Sequence, residues 1–360
     1  MSTPQACFLF HRARGEPVAT TTSHVPTQTH SVRDDTFIAA DVGGTHVRIG
    51  LIRPGSDISP LQVSSYRNYA CNEYTGLDEI LGDFLAQPET RHVRRGVVAT
   101  AGYPMDDGRI ISANLPWSLS PDTIRRTIDF DDLRIVNDFA AVAYAAAHMD
   151  SSQVLRLSGP ETTPGHDGPV LILGPGTGLG AALWIPTPAR PIILATEAGQ
   201  ASLAAGNAME IEVLSQLLAQ HDHVSIEHTL SGPGLMNLYT TLCYLAEVDP
   251  RYTTPSQITE AAVQGHDQRA HQSLEIFCGL LGSTVGDMAL LYGAKGGIYL
   301  AGGILPQISQ FLLHSSFVSR FLNKGPMRAA LERIPVRLVE HGQLGVIGAA
   351  HWYLDQQHGQ

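Results

Sequence analysis

Asp41-Val42-Gly43-Gly44-Thr45 and Gly174-Pro175-Gly176-Thr177-Gly178-Leu179-Gly180 decide how this chain reads. Each is a glycine-rich turn set between two apolar runs. Phe37-Ile38-Ala39-Ala40-Asp41-Val42 reads as a buried strand entering the first turn, and His46 to Ile52 alternates as the strand leaving it. Val170-Leu171-Ile172-Leu173 and Ala181-Ala182-Leu183-Trp184-Ile185 flank the second turn in the same way. Two strand–turn–strand units in one chain point to two related halves facing each other.

Working outward, the sequence predicts strands at Gly96–Thr100 and Leu133–Val136, then an alanine-rich helix from Asp138 to His148. Helices follow near Met209–Gln220 and Leu274–Leu291, the second with an apolar stripe of Leu274, Phe277, Cys278, Leu281, Val285 and Met288. A strand at Gly297–Ala301, a Gly302-Gly303 turn, a strand at Val336–Val339 and a helix from Gly345 to Asp355 close the pattern. Strands mixed with helices give an α/β fold, and 360 residues suit two domains, with a boundary near residue 148. Residues 1–35 are polar and lack hydrophobic periodicity, so they read as a disordered leader. The stretch Ala6–Phe10 is too short for a signal peptide, and its charges follow it instead of preceding it.

Lys and Arg number 23 against 34 Asp and Glu, a net charge of −11. That balance argues against a nucleic-acid or anionic-membrane surface. A phosphate-bearing ligand must then be held locally, by backbone N–H groups, a divalent cation or a few basic side chains. No apolar run approaches the ~18 residues that cross a bilayer. Cys7, Cys71, Cys243 and Cys278 are scattered, and the closest histidines, His221 and His223, form no metal-ligand pattern. A reducing cytoplasm fits this cysteine usage.

The chemistry follows from the turns. Gly43, Gly44 and Thr45 let backbone amides approach a phosphate without a Cβ in the way. Asp41 repels a bare phosphate but can hold Mg²⁺, directly or through water. Gly174, Gly176, Thr177, Gly178 and Gly180 form a second candidate phosphate clamp, since a hairpin needs only one or two glycines. The pattern is neither a Walker A loop nor a dinucleotide fingerprint. Asn137-Asp138 ends a strand and opens a helix. The helix dipole there should keep Asp138 ionised and able to take a hydroxyl proton, or Asp138 simply caps the helix. Glu197 and Glu227 are either sugar-hydroxyl ligands or surface charge. Asn114-Leu115-Pro116-Trp117 offers an amide and an apolar plate for a sugar, with a core role for Trp117 the alternative. Gly302 and Gly303 either admit a flat adenine or pack a helix tightly on a strand.

Taken together, in order and spacing, these segments resemble the bacterial glucokinase family of the actin/hexokinase superfamily. The resemblance runs from about Phe37 to Tyr353 and includes Leu230–Tyr239 and Gly296–Ile304 as nucleotide-side segments. It implies a two-domain actin-like (RNase H-like) ATPase fold. A small α/β domain, 36–148, is completed by a C-terminal helix, 341–360; a larger α+β domain, 149–340, faces it across the active site. It implies transfer of the ATP γ-phosphate to the 6-hydroxyl of glucose, with Mg²⁺, Asp138 as base, and Asn114, Asn137, Asp138, Glu197, Gln200 and Glu227 on the sugar. A homodimer is compatible with it. One departure stands out. The family usually writes Glu-Gly-Gly-His and then Val-Asp-Phe, where this chain has Glu197-Ala198-Gly199-Gln200-Ala201-Ser202-Leu203. A sugar-sensing regulator and a kinase for another hexose are the competing readings. The zinc motif of the repressor-related kinases is missing.

Overall fold

Strand β1 (Phe37–Val42) is buried along its length except at Asp41, which is half-buried. The computed structural model describes residues 36–56, 59–105, 108–111, 115–147, 149, 154–161, 168–188, 190–339 and 342–357. The leader assigned to residues 1–35 and the candidate sugar ligand Asn114 lie outside them. Strands β2 (His46–Ser56) and β3 (Ser59–Ala70) extend β1 as an antiparallel meander. β4 (Arg95–Thr100) adds parallel to β1. Beyond a small hairpin of β5 (Tyr103–Pro104) and β6 (Ile110–Ile111), β7 (Asp132–Asn137) adds parallel to β4. The order is β3-β2-β1-β4-β7.

The second sheet is built from β8 (Val154–Ser158), β9 (Val170–Pro175), β10 (Leu179–Ile185), β11 (Ile192–Thr196), β12 (Gly297–Leu300) and β13 (Val336–Val339). Its order is β11-β10-β9-β12-β13-β8. β9, β10 and β11 form an antiparallel meander, and β12 and β13 add parallel on the other side of β9. The first sheet is therefore repeated in topology, with β8 as the extra strand, and each copy carries its glycine turn between its first two strands. The two related halves expected from the turns are present as two sheets.

The helices are α1 (Leu77–Leu85), α2 (Pro121–Thr127), α3 (Asp138–Ala147), α4 (Ala208–Leu218), α5 (Gly232–Leu245), α6 (Pro255–Val263), α7 (Gln268–Tyr292), α8 (Ser309–His314), α9 (Phe317–Leu322), α10 (Arg328–Leu331) and α11 (Leu344–Gln357). Alanine makes α3 thin enough to serve two sheets. Ala140 and Ala141 pack with α11 and the first sheet, while Ala143 and Ala146 pack on Val170, Ile172 and Ala182 of the second. α11 returns to the first sheet, burying Val346, Ala349, Ala350 and Tyr353. The Tyr353 hydroxyl donates to Asp132 at 2.8 Å, and Tyr144 donates to Asp355 at 3.1 Å.

α7 forms where the sequence places a helix, near Leu274–Leu291, and runs from Gln268 to Tyr292. By length and composition it could cross a membrane, although no uninterrupted apolar run in the sequence is that long; 72% of its most apolar window is buried. It is the central helix of the second core, covered by α5, α6 and α9. Nearby, the buried carboxylate of Glu210 takes both terminal nitrogens of Arg320, at 2.8 and 2.9 Å, and the Gly206 N–H at 2.7 Å. Cys71, Cys243 and Cys278 are buried free thiols.

Candidate active site

The C-terminal ends of β1, β4 and β7 lie side by side, with Val42 paired to Thr100 and Thr100 to Asn137. This brings the first glycine turn and Asn137-Asp138 to one edge of the first sheet, where parallel α/β sheets carry their ligands. The Gly43 N–H donates to the His46 carbonyl at 3.0 Å and closes the turn. Cys71 supports it from behind, donating its N–H to the Thr45 carbonyl at 2.9 Å and its thiol to the Gly43 carbonyl at 3.4 Å. Thr45 is exposed, and Gly43 and Gly44 are half-buried.

Asp41 sits directly opposite Arg48 in the hairpin register, and Arg48 Nη1 reaches Asp41 Oδ2 at 3.2 Å. Burial raises the pKa of Asp41 and the Arg48 charge opposes that rise. The first turn of α11 presses on the same carboxylate: a Cβ at Gly345 would lie 2.7 Å from both Asp41 oxygens.

The two residues that open α3 divide their work. Asn137 is the capping side chain, its Oδ1 accepting the Ala140 N–H at 3.0 Å. Asp138 is thereby released from the capping role that the sequence leaves open, and its Oδ1 accepts the N–H of Phe139 at 2.9 Å. The helix dipole is not the dominant influence on Asp138. Burial outweighs it and lifts the pKa of Asp138 to about 6; the Phe139 N–H lowers it, and the charges of Asp41 and Glu197 raise it further. Asp138 is ionised at neutral pH but within reach of titration, which suits a base.

In the second turn the Gly176 N–H donates to the Gly178 carbonyl at 2.7 Å, and the Gly232 N–H at the start of α5 donates to the Gly176 carbonyl at 2.8 Å. Thr177 is exposed at the tip. Glu227 lies beneath: its Oε2 accepts the Leu179 N–H at 2.7 Å, and a Cβ at Gly178 would lie 2.5 Å from that oxygen. Its Oε1 accepts the Gln200 side-chain amide at 3.2 Å. Gln200 ends the short 3-10 turn Ala198–Gln200 that follows Glu197, and its N–H donates to the Glu197 carbonyl at 2.9 Å. His223 Nε2 donates to the Gln200 carbonyl at 2.9 Å. Glu197 and Gln200 are exposed. Glu197, Gln200 and Glu227 are thus brought together beside the second turn, with Glu197 close enough to Asp138 to act on its charge.

Gly302 packs against the Pro175 backbone, the tight-packing alternative, whereas Gly303 faces open space. Trp117 packs on the first core and also lines a cavity of about 250 Å³ with Arg109, Ile110, Ile111, Leu115, Pro116 and Ser118. Three contributors carry no signal of their own in the sequence: Cys71 behind the first turn, His223 behind Gln200, and Gly345 against Asp41. Each acts across a long sequence separation. Among the described residues no group of three or more His, Cys, Asp or Glu forms a metal cage.

Known proteins bear on this arrangement. A protein-family model described as Glucokinase matches residues 38–356. A "Glucokinase-like protein" of Xylella fastidiosa (strain 9a5c) is 52% identical over 322 residues, covering 89% of this chain and 95% of that protein. A "Glucokinase" of Hahella chejuensis is 36% identical over 322 residues, covering 89% and 97%. A crystal structure of glucokinase from an Antarctic psychrotroph superposes with a TM-score of 0.77 at 33% identity, covering 89% of this chain and 99% of that one. The match runs through both glycine turns, the Asn137-Asp138 junction and α11, and on it the chain belongs to the glucokinase family.

Proposed function

We propose that Asp138 is the base through which this chain, an ATP-dependent hexose kinase, transfers the γ-phosphate of ATP to the 6-hydroxyl of glucose. The observation that carries the assignment is a half-buried carboxylate, its pKa lifted to about 6, at the sheet edge that also holds the first glycine turn, next to the residue that packs on the second. Asp138 takes the hydroxyl proton as the sugar oxygen attacks in line. Amides of the 43–45 and 174–180 turns face the phosphates and spread the developing charge. Glucose hydroxyls are held by Asn137, through the amide nitrogen its cap leaves over, and by Asp138, Glu197, Gln200 and Glu227, with Asn114 completing the set.

The two sheets mark two lobes with the site between them, and closure of the lobes excludes the water that competes with the sugar. Asp41 is suited to Mg²⁺, because magnesium takes few carboxylates and fills its shell with water and phosphate oxygens. Arg48 engages only Oδ2 of Asp41, so a carboxylate oxygen remains for that ion or one of its waters. When bound, Mg²⁺ would supply charge neutralisation on the phosphate oxygens. A cytoplasmic setting, feeding glucose 6-phosphate to glycolysis, follows from the need for ATP. ADP release measured with glucose, mannose, fructose and glucosamine tests the reading. Turnover highest on glucose is expected, and glucose binding without ADP release overturns it.

A further inference from the structure

We propose that Phe139 is a positioning residue of the phosphoryl transfer: its ring, seated over the facing glycines Gly174 and Gly180, fixes Asp138 against the second glycine turn. The inference rests on Asp138 being the base. Gly174 and Gly180 pair directly across the β9–β10 hairpin, where the strands lead into the turn. Neither carries a side chain, so the pair leaves a trough on the face of the sheet, and the Phe139 ring fills it. A Cβ at Gly174 would lie 3.1 Å from Phe139 Cζ, and one at Gly180 would collide with the ring edge outright. The same residue reaches the base by its backbone, since its N–H is the donor to Asp138 Oδ1.

Phe139 therefore touches both halves of the reaction centre within one residue. Its side chain gauges the second turn, and its amide orients the carboxylate. A phenyl ring suits this role, because it is broad, rigid and held by only two torsions. Its half-buried setting distinguishes it from the fully buried alanines that follow it along α3 toward the second sheet.

The test is steady-state kinetics, pH–rate profiles and thermal melts of the full chain carrying Phe139→Ala, Phe139→Leu, Gly180→Ala, the double substitutions and Asp138→Asn. Misplacing a reacting group by an ångström costs on the order of 100-fold in rate, so Phe139→Ala should lower kcat by about that factor. Glucose KM should stay within about threefold, because the proposed sugar ligands other than Asp138 are untouched. The acid limb of the kcat profile should move to lower pH as water reaches Asp138. Gly180→Ala alone should lose a comparable factor, and adding it to Phe139→Ala should cost little more, since its collision partner is gone. Multiplicative losses, or a folded Phe139→Ala with near-normal kcat and an unmoved acid limb, overturn the proposal. Should Phe139→Ala not fold, Phe139→Leu decides: partial relief of the Gly180→Ala defect supports the contact, and no relief overturns it. Near-normal turnover in Asp138→Asn overturns the base itself. An inactive Asp138→Asn beside an unaffected Phe139→Ala overturns only the positioning role.

Discussion

The side-chain amide of Gln200 donates to Glu227, 3.2 Å away, while the other oxygen of Glu227 holds the Leu179 N–H. One carboxylate thus ties the Gln200 loop to the second glycine turn. The family resemblance places a histidine at Gln200, and an imidazole can make the same donation with less rotamer entropy to lose. Gln200→His should lower the glucose KM or leave it unchanged, with kcat preserved. Gln200→Ala should raise that KM by about two- to tenfold, the worth of one hydrogen bond. A several-fold rise in glucose KM in Gln200→His would show that the loop serves another hexose.

Asp138→Asn should lower kcat by about 10²–10⁴ while glucose binding persists, measured by calorimetry beside the assay. A near-normal kcat would reduce Asp138 to a structural role.

The same substitution should stabilise the protein in a defined pH range. The folded pKa of Asp138, about 6, lies above its ordinary value of 3.8. The native state then binds the proton more tightly than the unfolded chain, and stability falls as pH rises between those two values. Above about pH 6 the full penalty is present, up to about 3 kcal/mol before solvent screening. Asp138→Asn should therefore melt a few degrees higher at pH 7.5 and show no such gain near pH 4. Equal shifts at both pH values would count against the burial of this charge.

Activity should carry the opposite trend. With Asp138 as the proposed base, kcat/KM should fall tenfold per unit as pH drops below about 6. A limb near pH 4 instead would mean that water screens Asp138 in the working enzyme.

Glu210 and Arg320 offer a stability test remote from the chemistry. Glu210 is buried, at 2% side-chain exposure, and Arg320 supplies its counter-charge. Arg320→Met should destabilise the chain by about 3–5 kcal/mol in urea titration, because it strands a buried carboxylate. Removing both charges, with Glu210→Gln and Arg320→Met, should recover part of that loss. Equal losses in the single and double variants would rule out the unpaired charge as the cause.

Much of this architecture is legible in the sequence because glycine turns punctuate apolar runs. β1, β2, β9, β10, α3 and α7 follow from that pattern. β3 does not, since Ser64-Ser65-Tyr66-Arg67-Asn68 lies at a sheet edge and needs no apolar face. β11 is apolar in sequence, but it lies at the edge of the second sheet with Ile192 and Leu194 exposed. α5 is given no element in the sequence reading, although proline in the first turn and a Ser231 cap are suited to starting a helix at Gly232-Pro233-Gly234. Within the site, Asp41 and Arg48 meet because antiparallel register places them opposite. The contact between Leu179 and Glu227, 48 residues apart, has no local signature. The burial that lifts the pKa of Asp138 is equally invisible, because it comes from whole elements folding over one carboxyl group.

The return of α11 has a consequence for how the enzyme is made. Tyr353 reaches Asp132 across 221 positions, and Asp355 reaches Tyr144 across 211. β13, which joins β12 to β8, is also late in the chain. Translation proceeds from the N-terminus at about 5–20 residues per second, so α3 leaves the ribosome well before the helix that covers it. Through that interval α3 lacks the helix that packs on it, and the second sheet, unlike the first, still awaits β13. A ribosome stalled before Leu344 therefore carries both glycine turns and Asp138, but not the helix whose Gly345 packs on the Asp41 carboxylate.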